Sequence, residues 1–120
     1  MKKEIAEKWV KALRSGEYKQ TKNVLKDNDG FCCLGVLCDI SKNDLSRDIS
    51  SVDWSWDHSK QTNRFLLEYA HIPHEVLEWS GMGNSTGRYD PIHPSLTALN
   101  DRGHSFNQIA DIIEKIWKEL

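Results

Sequence analysis

Two tryptophans in the middle of the chain are the residues best suited to chemistry on a flat ligand. Val52, Trp54 and Trp56 alternate with polar residues, and this period of two predicts a strand with both indole rings on one face. Such a pair can pack onto the core, which we favour, or form a stacking platform for an aromatic ring. The aspartates between and around them would repel a phosphate unless a cation such as Arg64 screened their charge.

Ten residues form the set from which we expect a ligand site to be drawn. An aromatic ring can cover a base while a guanidinium binds phosphate through two parallel hydrogen bonds, so the combination suits a nucleotide. Arg14 also has a more ordinary role, because a cation in the last turn of a helix complements the helix dipole. The hydroxyl-binding candidates have structural roles as turn and cap residues, which we favour for them. The set consists of the stacking residues Trp54, Trp56 and Tyr89, the cations Arg14, Arg64 and Arg88, and the hydroxyl-binding candidates Tyr18, Gln20, Asn100 and Asp101.

The glycine-rich stretch Gly81–Tyr89 has backbone amides that can approach an anion, with Arg88 beside them. It matches neither the Walker A pattern nor G-x-G-x-x-G followed by a helix. We therefore interpret it as a surface loop in preference to a phosphate cradle.

Candidates for catalysis and metal binding are scattered. The five histidines show no diagnostic spacing, and Pro73 interrupts the one close pair, His71 and His74. The three cysteines lie inside an apolar stretch without a C-x-x-C pattern, which favours reduced, buried thiols. We expect no catalytic residue, no metal and no cofactor.

The composition is that of one globular domain, residues 1–120, with 38% hydrophobic and 28% charged residues. A net charge of -2 without a basic block argues against DNA binding. The spacing of residues 96–110 is similar to the first half of a helix-turn-helix, but its second helix has isoleucines at the centre and no recognition helix follows. No apolar run approaches the roughly 18 residues of a membrane span, and no signal peptide is present, so we expect a cytoplasmic protein.

The run Phe31–Ile40 is apolar on every side and is the predicted centre of the fold. Its length favours a buried helix over a strand, with Asp27–Gly30 as the turn that leads into it. Gly35 costs roughly 1 kcal/mol in a helix relative to alanine, which we explain by a second helix crossing closely there. Asp39 needs a partner, and we favour a salt-bridged anchor over a ligand-binding carboxylate.

Amphipathic patterns on either side predict the helices that cover this central helix. Lys3–Ser15 has one apolar stripe, and Ser105–Leu120 begins with a serine cap followed three residues later by glutamine. We expect the C-terminal helix to pack on the central one. Shorter helices are predicted at 73–79 and 94–100, each with a proline at or near its first position, and a short hairpin is predicted between Val24-Leu25 and Phe31. The predicted fold is α+β and mainly helical, with a buried central helix at about 31–41 and a small sheet.

Three segments of the chain carry a recognisable pattern. They are Trp9-x-x-Ala12-Leu13-Arg14-Ser15-Gly16-x-Tyr18-x-Gln20, Cys32-Cys33-Leu34-Gly35-Val36-Leu37-Cys38-Asp39 and Leu99-Asn100-Asp101-x-Gly103-x-Ser105-Phe106-x-x-Ile109-Ala110. Together they resemble a family of small bacteriophage-encoded proteins, mostly of unassigned activity, and they leave residues 41–64 uncovered. The resemblance implies a phage accessory protein in the host cytoplasm, and small phage proteins of this kind include homo-oligomers that sequester a nucleotide-derived immune signal.

Our leading hypothesis is therefore a binding protein for a small nucleotide-like ligand, such as an ADP-ribose derivative or a cyclic oligonucleotide. The first alternative is an enzyme that degrades such a signal, although no constellation of catalytic side chains supports it. The second is an interaction protein that inhibits a host factor directly through exposed tryptophans.

Overall fold

The computed structural model describes all 120 residues, Met1–Leu120, and confirms the α+β, mainly helical class. The helices are α1 (Lys3–Arg14), α2 (Cys33–Leu45), α3 (His74–Ser80), α4 (Leu96–Asp101) and α5 (Phe106–Ile116), and a 3₁₀ turn follows at Trp117–Glu119. The strands are β1 (Trp54–Asp57) and β2 (Thr62–Phe65). None of the helices combines the length and the apolar content needed to cross a membrane.

The central helix, α2, begins two residues later than the apolar run and continues past its end. Cys32 has extended backbone angles and caps the helix, because its sulfur accepts the Gly35 N–H at 3.4 Å. From Cys33 to Cys38 every residue is buried, so the helix has no solvent face there. Its last turns, up to Leu45, become more polar as the helix leaves the core.

Gly35 meets a backbone segment and not a crossing helix. A Cβ added at Gly35 would lie 2.8 Å from the carbonyl carbon of Leu25 and even closer to its oxygen. Leu25 also accepts the Cys32 N–H through that oxygen at 3.0 Å. The predicted close approach is therefore real, but the expectation of a second helix at this point is wrong.

The N-terminal helix lies between the other two long helices. Trp9 of α1 is fully buried, and its Nε1 donates to the Cys33 carbonyl at 2.9 Å, which fixes α1 against α2. The C-terminal helix, α5, packs mainly on α1, although we expected α2 to be its principal partner. Its predicted start is confirmed, since Ser105 and Gln108 form a reciprocal capping box.

The two short helices begin later than the prolines suggested, α3 by one position and α4 by two. Pro73 has ψ of 162° and is the N-cap of α3, so it precedes the first helical residue. Ser95 caps α4 by accepting the Ala98 N–H at 3.2 Å, which leaves Pro94 outside the helix. In both cases the proline lies just before the first helical residue.

The sheet is an antiparallel hairpin in which Trp54 pairs with Phe65 and Trp56 pairs with Asn63. The alternating pattern correctly predicted β1, but β2 has no such pattern and was not predicted. The hairpin expected between Val24-Leu25 and Phe31 is reduced to one antiparallel bridge, Lys26 with Phe31.

Replacing Gly35 by alanine tests the packing of the Leu25 segment on α2. We expect Gly35→Ala to lower the free energy of unfolding by about 3 kcal/mol, because the new methyl group forces backbone apart in a packed core. Urea denaturation followed by tryptophan fluorescence measures this. Gly83→Ala is the matched control, since nothing lies within 4 Å of its added Cβ and its φ is not positive. Equal stability of the two variants would contradict the packing described.

Candidate functional site

A groove of about 770 Å³ lies between α1 and α5, and we call it the α1–α5 groove. Its floor is apolar and its rim is charged with both signs. The floor consists of Ala6, Val10, Ile113 and Trp117, and the cations on the rim are Lys3, Lys11 and Arg14. A groove of this size and composition can hold a small molecule with an aromatic part and a polar part.

Arg14, one of the predicted ligand residues, lies at the edge of this groove and joins its two helices. Its Nη2 donates to Asp111 Oδ1 at 2.6 Å, and its Nη1 donates to Glu114. Both carboxylates belong to α5, so the guanidinium bridges the two helices across the groove. A guanidinium has five N–H donors, and three of these remain for a ligand.

The other cations of the rim are less engaged. Lys3 lies 3.9 Å from Glu7 one turn away, and both side chains are largely exposed. Lys11 forms no ion pair. Exposed pairs such as Lys3 with Glu7 contribute about 0–1 kcal/mol, so these two lysines can turn towards an anion at low cost.

A second groove, of about 440 Å³, lies on the other flank of α5, and we call it the Tyr89 groove. Tyr89 stacks on His93 with ring centroids 5.8 Å apart, and α5 contributes Ile112 and Ile116 to the lining. The predicted cation Arg88 is exposed beside the groove, where it donates to the Asp90 carbonyl at 3.4 Å.

Backbone amides of the glycine-rich loop before Tyr89 are hydrogen-bonded to a side chain of the same loop. Asn84 Oδ1 accepts the N–H groups of Thr86 and Arg88, at 2.9 and 3.3 Å. It also accepts the Thr86 hydroxyl at 2.6 Å. This supports the interpretation of Gly81–Tyr89 as a surface loop over that of a phosphate cradle.

Three of the hydroxyl-binding candidates form a polar network inside the fold. Asn100 is fully buried, and its Oδ1 accepts the Cys33 N–H at 3.1 Å and Gln20 Nε2 at 2.8 Å. Its Nδ2 donates to the Thr21 carbonyl at 2.8 Å. Asp101 accepts the Asn23 N–H at 2.8 Å. These side chains tie the loop after α1 to the start of α2 and the end of α4. This role is structural, but it differs from the turn and cap roles that we favoured, since Asn100 and Asp101 lie within α4.

Asp39 is the anchor of a second network. It accepts Tyr18 Oη at 2.6 Å and Trp54 Nε1 at 3.0 Å, and Lys42 Nζ lies 3.1 Å away. Burial by itself raises the pKa of Asp39, but the hydrogen bonds from Tyr18 and Trp54 and the Lys42 ammonium outweigh it, so this pKa lies below its ordinary value. This arrangement is the paired anchor that we favoured for Asp39.

Trp54 is half-buried and offers little open surface for stacking, because two aromatic rings pack against it. The rings of Phe31 and Phe65 lie 5.7 and 5.0 Å from it, centroid to centroid. Trp56 is half-buried, next to His58. Arg64 pairs with Ser55 and so faces the opposite side of the hairpin from Trp56, which prevents the two from meeting one ligand.

The ten predicted site residues are therefore distributed over five places: the two grooves, the two networks and the hairpin. Arg14 alone reaches the α1–α5 groove, where the sequence analysis missed Lys11 and Trp117. Lys3, Glu7, Lys11 and Arg14 follow one another at intervals of four, four and three, which places them along one edge of α1. That spacing is a usable signal, but it identifies a site only once the position of α5 is known.

The cysteines and histidines do not form a catalytic or metal cluster. Burial raises the pKa of Cys32 to about 11 and those of Cys33 and Cys38 well above the ordinary value, which disfavours the thiolate. No group of three or more His, Cys, Asp or Glu side chains is placed to hold a metal ion.

Replacing Asp39 by asparagine tests the second network. Since the native pKa of Asp39 is lowered, its contribution to stability is complete well above pH 3.8, the ordinary value, and is lost as the pH falls through the native pKa. We expect Asp39→Asn to lower the free energy of unfolding by about 2 kcal/mol at pH 7 and to reduce the loss of stability on acidification. Urea denaturation between pH 2 and pH 7 measures both effects, with the exposed Asp48→Asn as control. An unchanged pH profile would contradict the role given to Asp39.

Comparisons with known proteins assign the chain to a family. No curated protein and no solved structure gives a significant match to it. A family described as "Domain of unknown function (DUF8296)" matches residues 1–117. The matched range contains all five helices, both strands and every residue that lines the α1–α5 groove. The chain therefore belongs to the DUF8296 family.

Proposed function

We propose that the protein is a phage accessory protein that binds a small nucleotide-derived immune signal in the α1–α5 groove and sequesters it in the host cytoplasm. The observation that carries the proposal is the combination, in one groove, of an apolar floor with an indole ring and three cations on the rim. The phage setting and the ligand class come from the sequence resemblance. An ADP-ribose derivative or a cyclic oligonucleotide is the expected ligand.

The floor of the groove accounts for recognition of a base. Trp117 is half-exposed at the end of α5, next to Val10 and Ala6 of α1, so a flat ring can lie against apolar surface. Stacking of a base on an aromatic side chain contributes roughly 1–3 kcal/mol. Such a contact tolerates different bases, which suits a protein that captures a class of signals.

The rim of the groove accounts for recognition of a phosphate and also limits the negative charge that a ligand can carry. Lys3, Lys11 and the spare donors of Arg14 can bind phosphate oxygens. Glu7 and Glu114 on the same rim, with Asp111 beside Arg14, balance these three cations. The groove therefore favours a ligand with one or two phosphates over a polyanion.

The lining of the groove supports binding without turnover. It contains neither histidine nor cysteine, and the carboxylate of Glu114 is held by Arg14. A hydrolytic reaction needs a positioned base or an activated nucleophile next to the bound ligand. We therefore favour sequestration over degradation of the signal.

The proposal is tested by incubating the purified protein with ADP-ribose derivatives and cyclic dinucleotides, removing the unbound material, denaturing the protein and identifying what is released by mass spectrometry. We expect one intact nucleotide in stoichiometric amount. Recovery of a hydrolysed product would identify an enzyme instead. Release of nothing from the whole panel would contradict the proposal and direct the search to a protein partner.

Variants of the groove locate the site by calorimetric titration of the ligand that is found. We expect Trp117→Leu to weaken binding roughly tenfold or more, since it removes the stacking surface. Lys11→Gln is expected to weaken it about threefold through the loss of one exposed charge contact. Trp56→Leu and Arg47→Gln are the matched controls, because these residues lie outside the lining of the groove. Loss of binding in Trp56→Leu with normal binding in Trp117→Leu would place the site on the hairpin.

A further inference from the structure

The cations of the α1–α5 groove are unevenly placed along α1. Lys11 and Arg14 both belong to its last turn, and residues three positions apart on a helix have Cβ atoms about 5–6 Å apart. Lys3 lies near the start of the helix, about 12 Å from Lys11 along the axis. The groove therefore has a pair of cations at one end, which we call the Arg14 end, and a single cation at the other.

The cations at the Arg14 end are balanced by two carboxylates of α5. Arg14 donates from Nη2 to Asp111 Oδ1 at 2.6 Å and from Nη1 to Glu114. Together with Lys11, these groups carry no net charge. The end of α1 adds a partial negative charge, because the dipole of a helix is negative at its C-terminus.

The other charged groups nearby do not change this balance. Lys3 lies 3.9 Å from Glu7, so the far end of the rim is also neutral. Lys115 lines the Tyr89 groove instead. Lys118 lies over the Trp117 ring, with its Nζ 5.6 Å from the ring centroid, and is not part of the groove lining. The Arg14 end thus offers cationic hydrogen-bond donors without an excess of positive charge.

A neutral set of donors favours a phosphate that carries a single negative charge. Such a phosphate gains hydrogen bonds from Lys11 and from the donors of Arg14 that the carboxylates leave free. A second negative charge on the same phosphate meets no further net attraction and costs more to remove from water. A terminal phosphate monoester carries a charge of about -1.5 to -2 at pH 7, whereas a phosphate that bridges two groups has only one ionised oxygen.

We propose that the Arg14 end is a subsite for a bridging phosphate and that Asp111 and Glu114 make it reject a terminal one. The inference rests on the proposed function and defines its ligand class more closely, as molecules joined by a phosphodiester or diphosphate bridge and lacking a terminal phosphate. The two carboxylates are specificity-determining residues, since they act against the wrong ligand by charge repulsion. A protein with this preference captures a linked or cyclic signal in the presence of free mononucleotides.

The test compares adenosine monophosphate with its phosphate methyl ester, which has the same base and sugar but only one ionisable phosphate oxygen. Each probe is titrated into the isotope-labelled full chain, and the nuclear magnetic resonance signal of the Trp117 indole N–H reports binding in the groove. Trp117→Leu identifies that signal. We expect the wild type to bind the ester about fivefold more tightly, the size of one unfavourable charge contact in water.

Variants that remove a charge but keep the hydrogen bond assign this preference. Glu114→Gln retains an oxygen that can accept from Arg14, and we expect it to bring the ratio of the two affinities to about one. Asp111→Asn is a second variant of the same kind. Glu119→Gln is the matched control, because Glu119 lines the Tyr89 groove, and we expect it to keep the wild-type ratio. Circular dichroism checks that the variants are folded.

The outcomes separate this inference from the proposed function. Binding of both probes to the wild type with equal affinity, or tighter binding of the monophosphate, would overturn the inference and leave the groove as a nucleotide site. A wild-type ratio in both Glu114→Gln and Asp111→Asn would overturn the role given to the carboxylates. A Trp117 signal that neither probe moves at millimolar concentration would contradict the proposed function itself, and the inference with it.

Discussion

The contact between the Leu25 segment and α2 is the constraint on which the rest of the structure depends. Because α2 is buried on every side from Cys33 to Cys38, its first turn must be approached by backbone that can still satisfy its hydrogen bonds. The Leu25 carbonyl accepts the Cys32 N–H, and the Leu25 N–H donates to the Tyr69 carbonyl at 2.7 Å. The Lys26 carbonyl accepts the Thr62 hydroxyl at 2.8 Å and the Asn63 N–H at 3.1 Å. One short extended segment thus joins the central helix to the hairpin, and only glycine at position 35 leaves room for it.

The buried polar side chains of the fold are already hydrogen-bonded to other parts of the chain. Asn100 and Asp39 each satisfy three or more groups from separate parts of the chain, and no buried side-chain polar atom is left without a partner. A side chain with every donor and acceptor engaged has little left to offer a ligand without loss of stability. The surfaces free to bind are therefore on the outer helices, where charges are exposed and their pairs are weak.

The C-terminal helix carries both of those surfaces. Ile113 and Trp117 face the α1–α5 groove, whereas Ile112 and Ile116 face the Tyr89 groove. The broad apolar stripe of α5 is wider than the core requires, which explains why some of its residues are only half-buried. A helix with two partly covered flanks leaves a concave surface on each side of it.

The sequence by itself determined the class of the fold, the central apolar helix, the capping of α5 and the pairing that Asp39 requires. These features follow from local patterns, since periodicity, caps and the cost of a buried charge act within a few residues. It did not determine β2, which lacks an alternating pattern, or the backbone segment that faces Gly35. Only the tertiary structure decided which predicted side chains meet. Arg14 came to line one groove with Trp117, and Gln20 to bind Asn100, because of contacts between residues about 80 to 100 positions apart. No local pattern encodes such contacts.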